Sequence, residues 1–110
     1  MIDPAAGAEV GPPVEKGPAM GRQRRLIHFS GTVQGVGFRY TALRLARGFN
    51  VTGYVRNLPD GRVEMLVEAP ADQTNDLLAA VVERMGHYIR ETTQQTSEPT
   101  GQFADFDISF

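Results

Sequence analysis

From Leu26 to Thr32 the chain alternates: Ile27, Phe29 and Gly31 fall on one side, His28 and Ser30 on the other. That period predicts a half-buried strand. From Phe38 the period lengthens. Phe38, Ala42, Leu45, Ala46 and Phe49 stand at i, i+4, i+7, i+8 and i+11, one stripe of an amphipathic helix. Arg44 and Arg47 lie off the stripe near its C-terminal end, where cations suit the helix dipole, and Gly48 and Asn50 supply stop signals. Alternation returns over Val51 to Asn57, with Val51, Gly53, Val55 and Asn57 on one face. Leu58-Pro-Asp-Gly61 is a turn signal, since proline pre-sets the first central position and Asp-Gly tolerates positive φ. Arg62 to Ala69 reads as the return strand of a hairpin, Val63, Met65 and Val67 against Glu64 and Glu68. Pro70 breaks it and Asp72 is the expected cap of a second helix, striped by Leu77, Leu78, Val81, Val82 and Met85 and ended by Gly86. A weaker pattern predicts a fourth strand over His87 to Gln95, then a loop from Thr96 to Gly101. A last strand follows from Phe103 to Phe110, with Phe106, Ile108 and Phe110 alternating against Asp105, Asp107 and Ser109.

The resulting order, β-α-β-β-α-β plus a last strand, predicts an α+β, ferredoxin-like sandwich. Two helices cover one face of a mostly antiparallel sheet. Many unrelated activities use this arrangement, so function has to come from a site.

Composition narrows the classes. The 110 residues suit one domain, and the first 21 (MIDPAAGAEVGPPVEKGPAMG) hold four prolines and four glycines without period, so they read as a flexible tail before a folded unit over 22–110. With no cysteine there is no disulfide, thiolate metal site or cysteine nucleophile. A basic start with an apolar run is missing, and no stretch nears the roughly 20 apolar residues that span a bilayer. A cytoplasmic protein without membrane contact is expected. The net charge of −2 gives no pull toward nucleic acid, and the basic run Arg22 to Arg25 reads as a solvated strand entry.

Chemistry concentrates in GTVQGVGFRY, residues 31–40, where three glycines occur within seven residues. Gly35 and Gly37 let the backbone take positive φ and approach a ligand. Successive N–H groups in such a loop can form a concave anion nest, continued by the unpartnered N–H groups of the following helix. Arg39 in the first helical turn opposes the dipole at a cost of about 0.3–1 kcal/mol unless an anion lies between them. Its planar fork suits two phosphate oxygens. On spacing alone, a tight turn beside a solvated arginine explains the stretch equally well. A Walker loop is excluded because no lysine and hydroxyl follow the glycines; the dinucleotide fingerprint fails because Tyr40 replaces its third glycine. Any anion is therefore a small phosphate group rather than ATP or NAD.

Gly31 to Arg39 (GTVQGVGFR), followed by Gly53 to Gly61 (GYVRNLPDG) and Val63-Glu64, resembles the acylphosphatase family, from about Leu26 to Phe110. The resemblance implies an acylphosphate phosphohydrolase that cleaves carboxyl–phosphate anhydrides without metal or other cofactor. The backbone of Gln34, Gly35, Val36, Gly37 and Phe38 would hold the phosphate, Arg39 would bind its oxygens, and Asn57 would hold the attacking water. Asn57 ends its strand on the face of Val55, and its amide can both accept from and donate to water. Expelling a carboxylate, already a stable anion, asks for no general acid; positioning and charge stabilisation suffice. The implied partners are a small acyl phosphate and inorganic phosphate, as product and inhibitor, on a monomer. The chain departs from the family after the second helix, where His87 stands in place of a usual proline. The alternative is a non-catalytic phosphate-binding or regulatory domain, like those inside larger hydrogenase-maturation carbamoyltransferases, whose cysteine-rich segments this chain lacks.

The remaining candidates read as structural. His28 and His87 are too few for a zinc site. Glu64 with Glu68, and Asp105 with Asp107, read as solvated strand faces. Phe38, Tyr40 and Tyr54 lack the aromatic pattern of RNA-binding sheets.

Overall fold

The computed structural model describes residues 21–110, so the expected tail lies outside it except for Gly21. The elements run β1 (Arg22–Gly31), α1 (Phe38–Ala46), β2 (Thr52–Asn57), β3 (Val63–Pro70), α2 (Ala71–Met85), a 3-10 turn (Gly86–Tyr88), β4 (Ile89–Ser97) and β5 (Phe106–Ile108). The sheet order is β4-β1-β3-β2-β5. Every neighbouring pair is antiparallel except β2 and β5, which are parallel. Since β1 and β2 both run against β3, their C-terminal ends fall on the same edge of the molecule, and β5 finishes there too. This places the glycine-rich loop, Asn57 and the end of the chain together. It is the expected ferredoxin-like α+β arrangement with one added strand.

The core lies between the sheet and the helices. Ile27, Phe29, Val55, Val63, Met65 and Val67 meet Phe38, Ala42 and Ala46 of α1 and Leu77, Val81 and Met85 of α2, all buried. Fully burying such a side chain stabilises by about 1.5–3 kcal/mol. Gly53 lets β2 approach β3: at φ +136° an added Cβ would stand 1.8 Å from the Leu66 carbonyl oxygen.

Several boundaries differ from expectation. β1 starts at Arg22, and Arg25 is buried rather than solvated. Its Nη1 donates to Asn75 Oδ1 at 2.6 Å and Gln94 Oε1 at 3.3 Å, and its Nη2 to Gln23 Oε1 at 3.0 Å. Burial pulls the pKa of this guanidinium below its ordinary value. Helix α2 begins at Ala71 behind Pro70, so Asp72 sits in the first turn and not at the cap, and Val82 faces solvent. Phe49 lies past the end of α1 but still packs against the core. The 3-10 turn delays β4 by two residues. β5 is only three residues long, and Phe110 is exposed rather than inward.

The carboxylates of β3 need the largest correction. Glu64 and Glu68 are buried. Since β4 and β5 occupy opposite edges, the connection between them has to cross the sheet, and the helices already hold one face. It crosses the other, so Thr100 and Gly101 meet Glu68 and Phe103 stacks obliquely on Tyr54 at 6.0 Å.

Candidate active site

The loop between β1 and α1 is clamped at both ends. Before it, the Thr32 N–H donates to the Tyr88 carbonyl at 2.9 Å, and Gly31 passes so near the end of the 3-10 turn that a Cβ would stand 2.3 Å from the same oxygen. After it, Phe38 is buried with its ring 4.9 Å from that of Phe29. Val33 is also fully buried. Between these anchors Gly35 and Gly37 both take φ 80°, and an added Cβ at either meets nothing within 4 Å. Their glycine character is therefore required by backbone conformation, and open space lies beside them.

Gly37 caps α1 in the left-handed region with no side-chain cap, and the first helical bond runs from Thr41 N–H to the Gly37 carbonyl. Among the described residues, no hydrogen bond engages the backbone N–H groups from Gln34 to Arg39. A row of unbonded donors at the start of a helix without acidic residues in its first turn is an electropositive concavity. Arg39 stands in that turn, half-buried. Among the described residues no carboxylate pairs with it. Its Cζ lies 5.1 Å from the centroid of the Phe110 ring.

Asn57 ends β2 opposite Val63, half-buried. The turn behind it closes through Gly61 N–H to the Leu58 carbonyl at 3.1 Å, as the sequence indicates. Gln34 joins the two segments. Its Nε2 donates to the Leu58 carbonyl at 2.8 Å and the Arg62 carbonyl at 2.9 Å, tying the loop to the hairpin next to Asn57. The sequence pointed only to the backbone of Gln34. Its side chain has this second task, which needs knowledge of which hairpin lies alongside.

One strand row back, on the other face, Glu64 accepts from Tyr54 Oη at 2.7 Å and Arg56 Nε at 2.9 Å, and bonds His28 Nε2 at 2.9 Å. Burial acts to raise its pKa, but the bonds from Tyr54 and His28 and the Arg56 charge outweigh it and hold the carboxyl below its ordinary value. Burial and the Glu64 carboxylate raise the Tyr54 phenol. His28 is thus a structural partner of a buried carboxylate. Asp105 and Asp107 are exposed, as expected.

An acylphosphatase family model matches residues 26–108. The chain belongs to the acylphosphatase family. The acylphosphatase of Syntrophus aciditrophicus is 39% identical over 85 residues, covering 76% of this chain and 88% of that protein. That of Bordetella parapertussis is 54% identical over 48 residues, 44% of this chain and 51% of that protein, so this match spans about half the relative's length. The crystal structure of acylphosphatase from Bacillus subtilis matches with a TM-score of 0.70 at 31% identity, covering 81% of this chain and 99% of that one.

Proposed function

We propose that the chain hydrolyses the carboxyl–phosphate bond of small acyl phosphates, giving a carboxylate and inorganic phosphate. The observation that carries this reading is the row of unbonded N–H donors from Gln34 to Arg39 at the start of α1, beside the half-buried Asn57. The donors of Gln34, Gly35, Val36, Gly37 and Phe38 take phosphate oxygens, and Arg39 neutralises their charge. Asn57 holds a water against phosphorus. The water oxygen bonds to phosphorus as the bond from phosphorus to the acyl oxygen breaks, and the electron pair leaves with the carboxylate. The phosphate itself takes the water proton. A carboxylate leaves without protonation, so the site needs no general acid, and a loose transition state asks mainly for placement and charge. The proposal includes independence from metals and other cofactors, and a monomeric cytoplasmic enzyme. Among the described residues no helix is long and apolar enough to cross a membrane.

Benzoyl phosphate hydrolysis tests it. Arg39→Ala should lower kcat/KM by about 10³-fold and Asn57→Ala by about 10²-fold, the scale of losing preorganised donors. Chelator should leave the wild type unchanged, and inorganic phosphate should compete with substrate. Full activity in both folded variants would overturn the mechanism.

A further inference from the structure

β4 and β5 are the two edges of the sheet, and they are protected unequally. β5 is three residues long, with Asp107 at its centre and Asp105 just before it. Short length and charge keep an edge from pairing with another chain. The middle of β4 has neither. The strand runs for nine residues, against about 5–6 for a usual strand, and Thr92 to Ser97 include no charge, proline or glycine. Its register with β1 is regular from Glu91 to Ser97, so no bulge turns it aside. Every residue from Arg90 to Ser97 is exposed, and among the described residues only β1 pairs with this strand. The N–H and C=O groups of alternate residues therefore point outward in a row. Thr92, Thr93 and Thr96 are β-branched and suit a strand on either face.

The side chains along this edge are complementary to themselves. Arg90 near its start and Glu98 just past its end are both exposed, and neither has an ion pair among the described residues. An antiparallel copy placed about a two-fold axis through Gln94 sets Arg90 against Glu98, Glu91 against Ser97, Thr92 against Thr96 and Thr93 against Gln95. Opposite charges then meet twice, like charges never, and threonines pair with threonines. Moving the axis by one residue either way loses both charge pairs. An unrelated extended peptide could use the same backbone groups but has no reason to match both ends. The contact also closes, because each copy uses its one open edge and the far edge is short and charged.

We propose that two copies of this chain pair reversibly along β4, antiparallel about a two-fold axis at Gln94, with Arg90 of each copy facing Glu98 of the partner subunit. One strand pair is a small interface with roughly eight to ten main-chain bonds, so the dimer is weak and forms between about 10 μM and 1 mM chain. At the lower concentrations of an activity assay the chain is the monomeric enzyme proposed above, and no candidate site residue lies on β4. Sedimentation equilibrium of the full chain across that range should show monomer and dimer and nothing larger. Arg90→Glu and Glu98→Arg each turn two attractive pairs into repulsive ones and should raise Kd about tenfold. The double variant Arg90→Glu/Glu98→Arg should recover the dimer. An equimolar mixture of the two single variants should recover it too, as a heterodimer, because every charge pair across that contact is again opposite. Far-UV circular dichroism checks that each single variant is folded, and recovery in the mixture reads the contact in those same chains. A wild type that stays monomeric to about 1 mM overturns the proposal. So do assemblies that grow past two, single variants that dimerise like the wild type, and a mixture that does not recover.

Discussion

At the scale of single residues, the loop works because backbone and side chains have separate duties. Among the described residues the N–H groups from Gln34 to Arg39 carry no hydrogen bond, while the Gln34 side chain fastens the loop to the hairpin. Gln34 shows this best: its two amide hydrogens are both committed to hairpin carbonyls. Gln34→Ala should therefore lower stability by about 1–2 kcal/mol, the net worth of two hydrogen bonds, while the Leu58 and Arg62 carbonyls keep their backbone donors, Gly61 N–H and Leu58 N–H. It should also weaken inhibition by inorganic phosphate, because the nest loses its tie to the Asn57 hairpin. Gln34→Glu should be worse than Ala at neutral pH, placing a carboxylate against two carbonyl oxygens. Urea denaturation and phosphate inhibition of both variants check the order. The glycines and Arg39 of this loop were legible in the sequence because positive φ and a misplaced cation are local properties. The Gln34 clip was not, since nothing local says that residues 58 and 62 lie beside residue 34.

At the scale of elements, alternation told which residues share a face and missed what covers it. Glu64 and Glu68 were correctly placed opposite Val63, Met65 and Val67, but their face is roofed by residues 98–105, distant in sequence and without a period of their own. Arg25 was misread for the same reason: its partners Asn75 and Gln94 come from α2 and β4. β4 was the least legible strand because it is an edge, and its residues after Ile89 are all exposed, so no buried face imposes a pattern. Two glycines separate what conformation costs from what close approach costs. Gly35→Ala meets nothing and should lose only about 1–2 kcal/mol for a side chain at positive φ. Gly53→Ala has positive φ and also drives a Cβ into the Leu66 carbonyl at 1.8 Å, so β2 has to separate from β3. It should lose roughly 3 kcal/mol or more. Thermal and urea unfolding of the pair rank them; equal losses would show that β2 shifts freely.

At the scale of the whole molecule, one connection ties the two sheet edges together, and its fastening is ionic. Glu68, nearly fully buried, accepts from Thr100 N–H at 2.9 Å, Thr100 Oγ1 at 2.8 Å and Gly101 N–H at 2.8 Å, with Arg24 Nε 3.7 Å away. Burial acts to raise its pKa, but these donors prevail and hold it below the ordinary 4.5. Glu64 is depressed in the same direction. A carboxyl whose pKa is lower folded than unfolded binds more protons in the unfolded chain at intermediate pH, so acid favours unfolding. The stability contributed by both groups is complete above the unfolded value near 4.5 and is lost as pH falls from there through the depressed folded values. Urea midpoints should therefore hold steady from neutral pH down to about that value and decline below it. Glu68→Gln should cost about 1.5–3 kcal/mol at neutral pH, where charge-assisted bonds are replaced by neutral ones, and should flatten the acid decline. Hydrogen exchange localises the effect: the Thr100 and Gly101 amides should lose protection in Glu68→Gln before the β1–β3 amides do. If the acid decline is as steep in Glu68→Gln as in the wild type, Glu68 is not among the groups that set it.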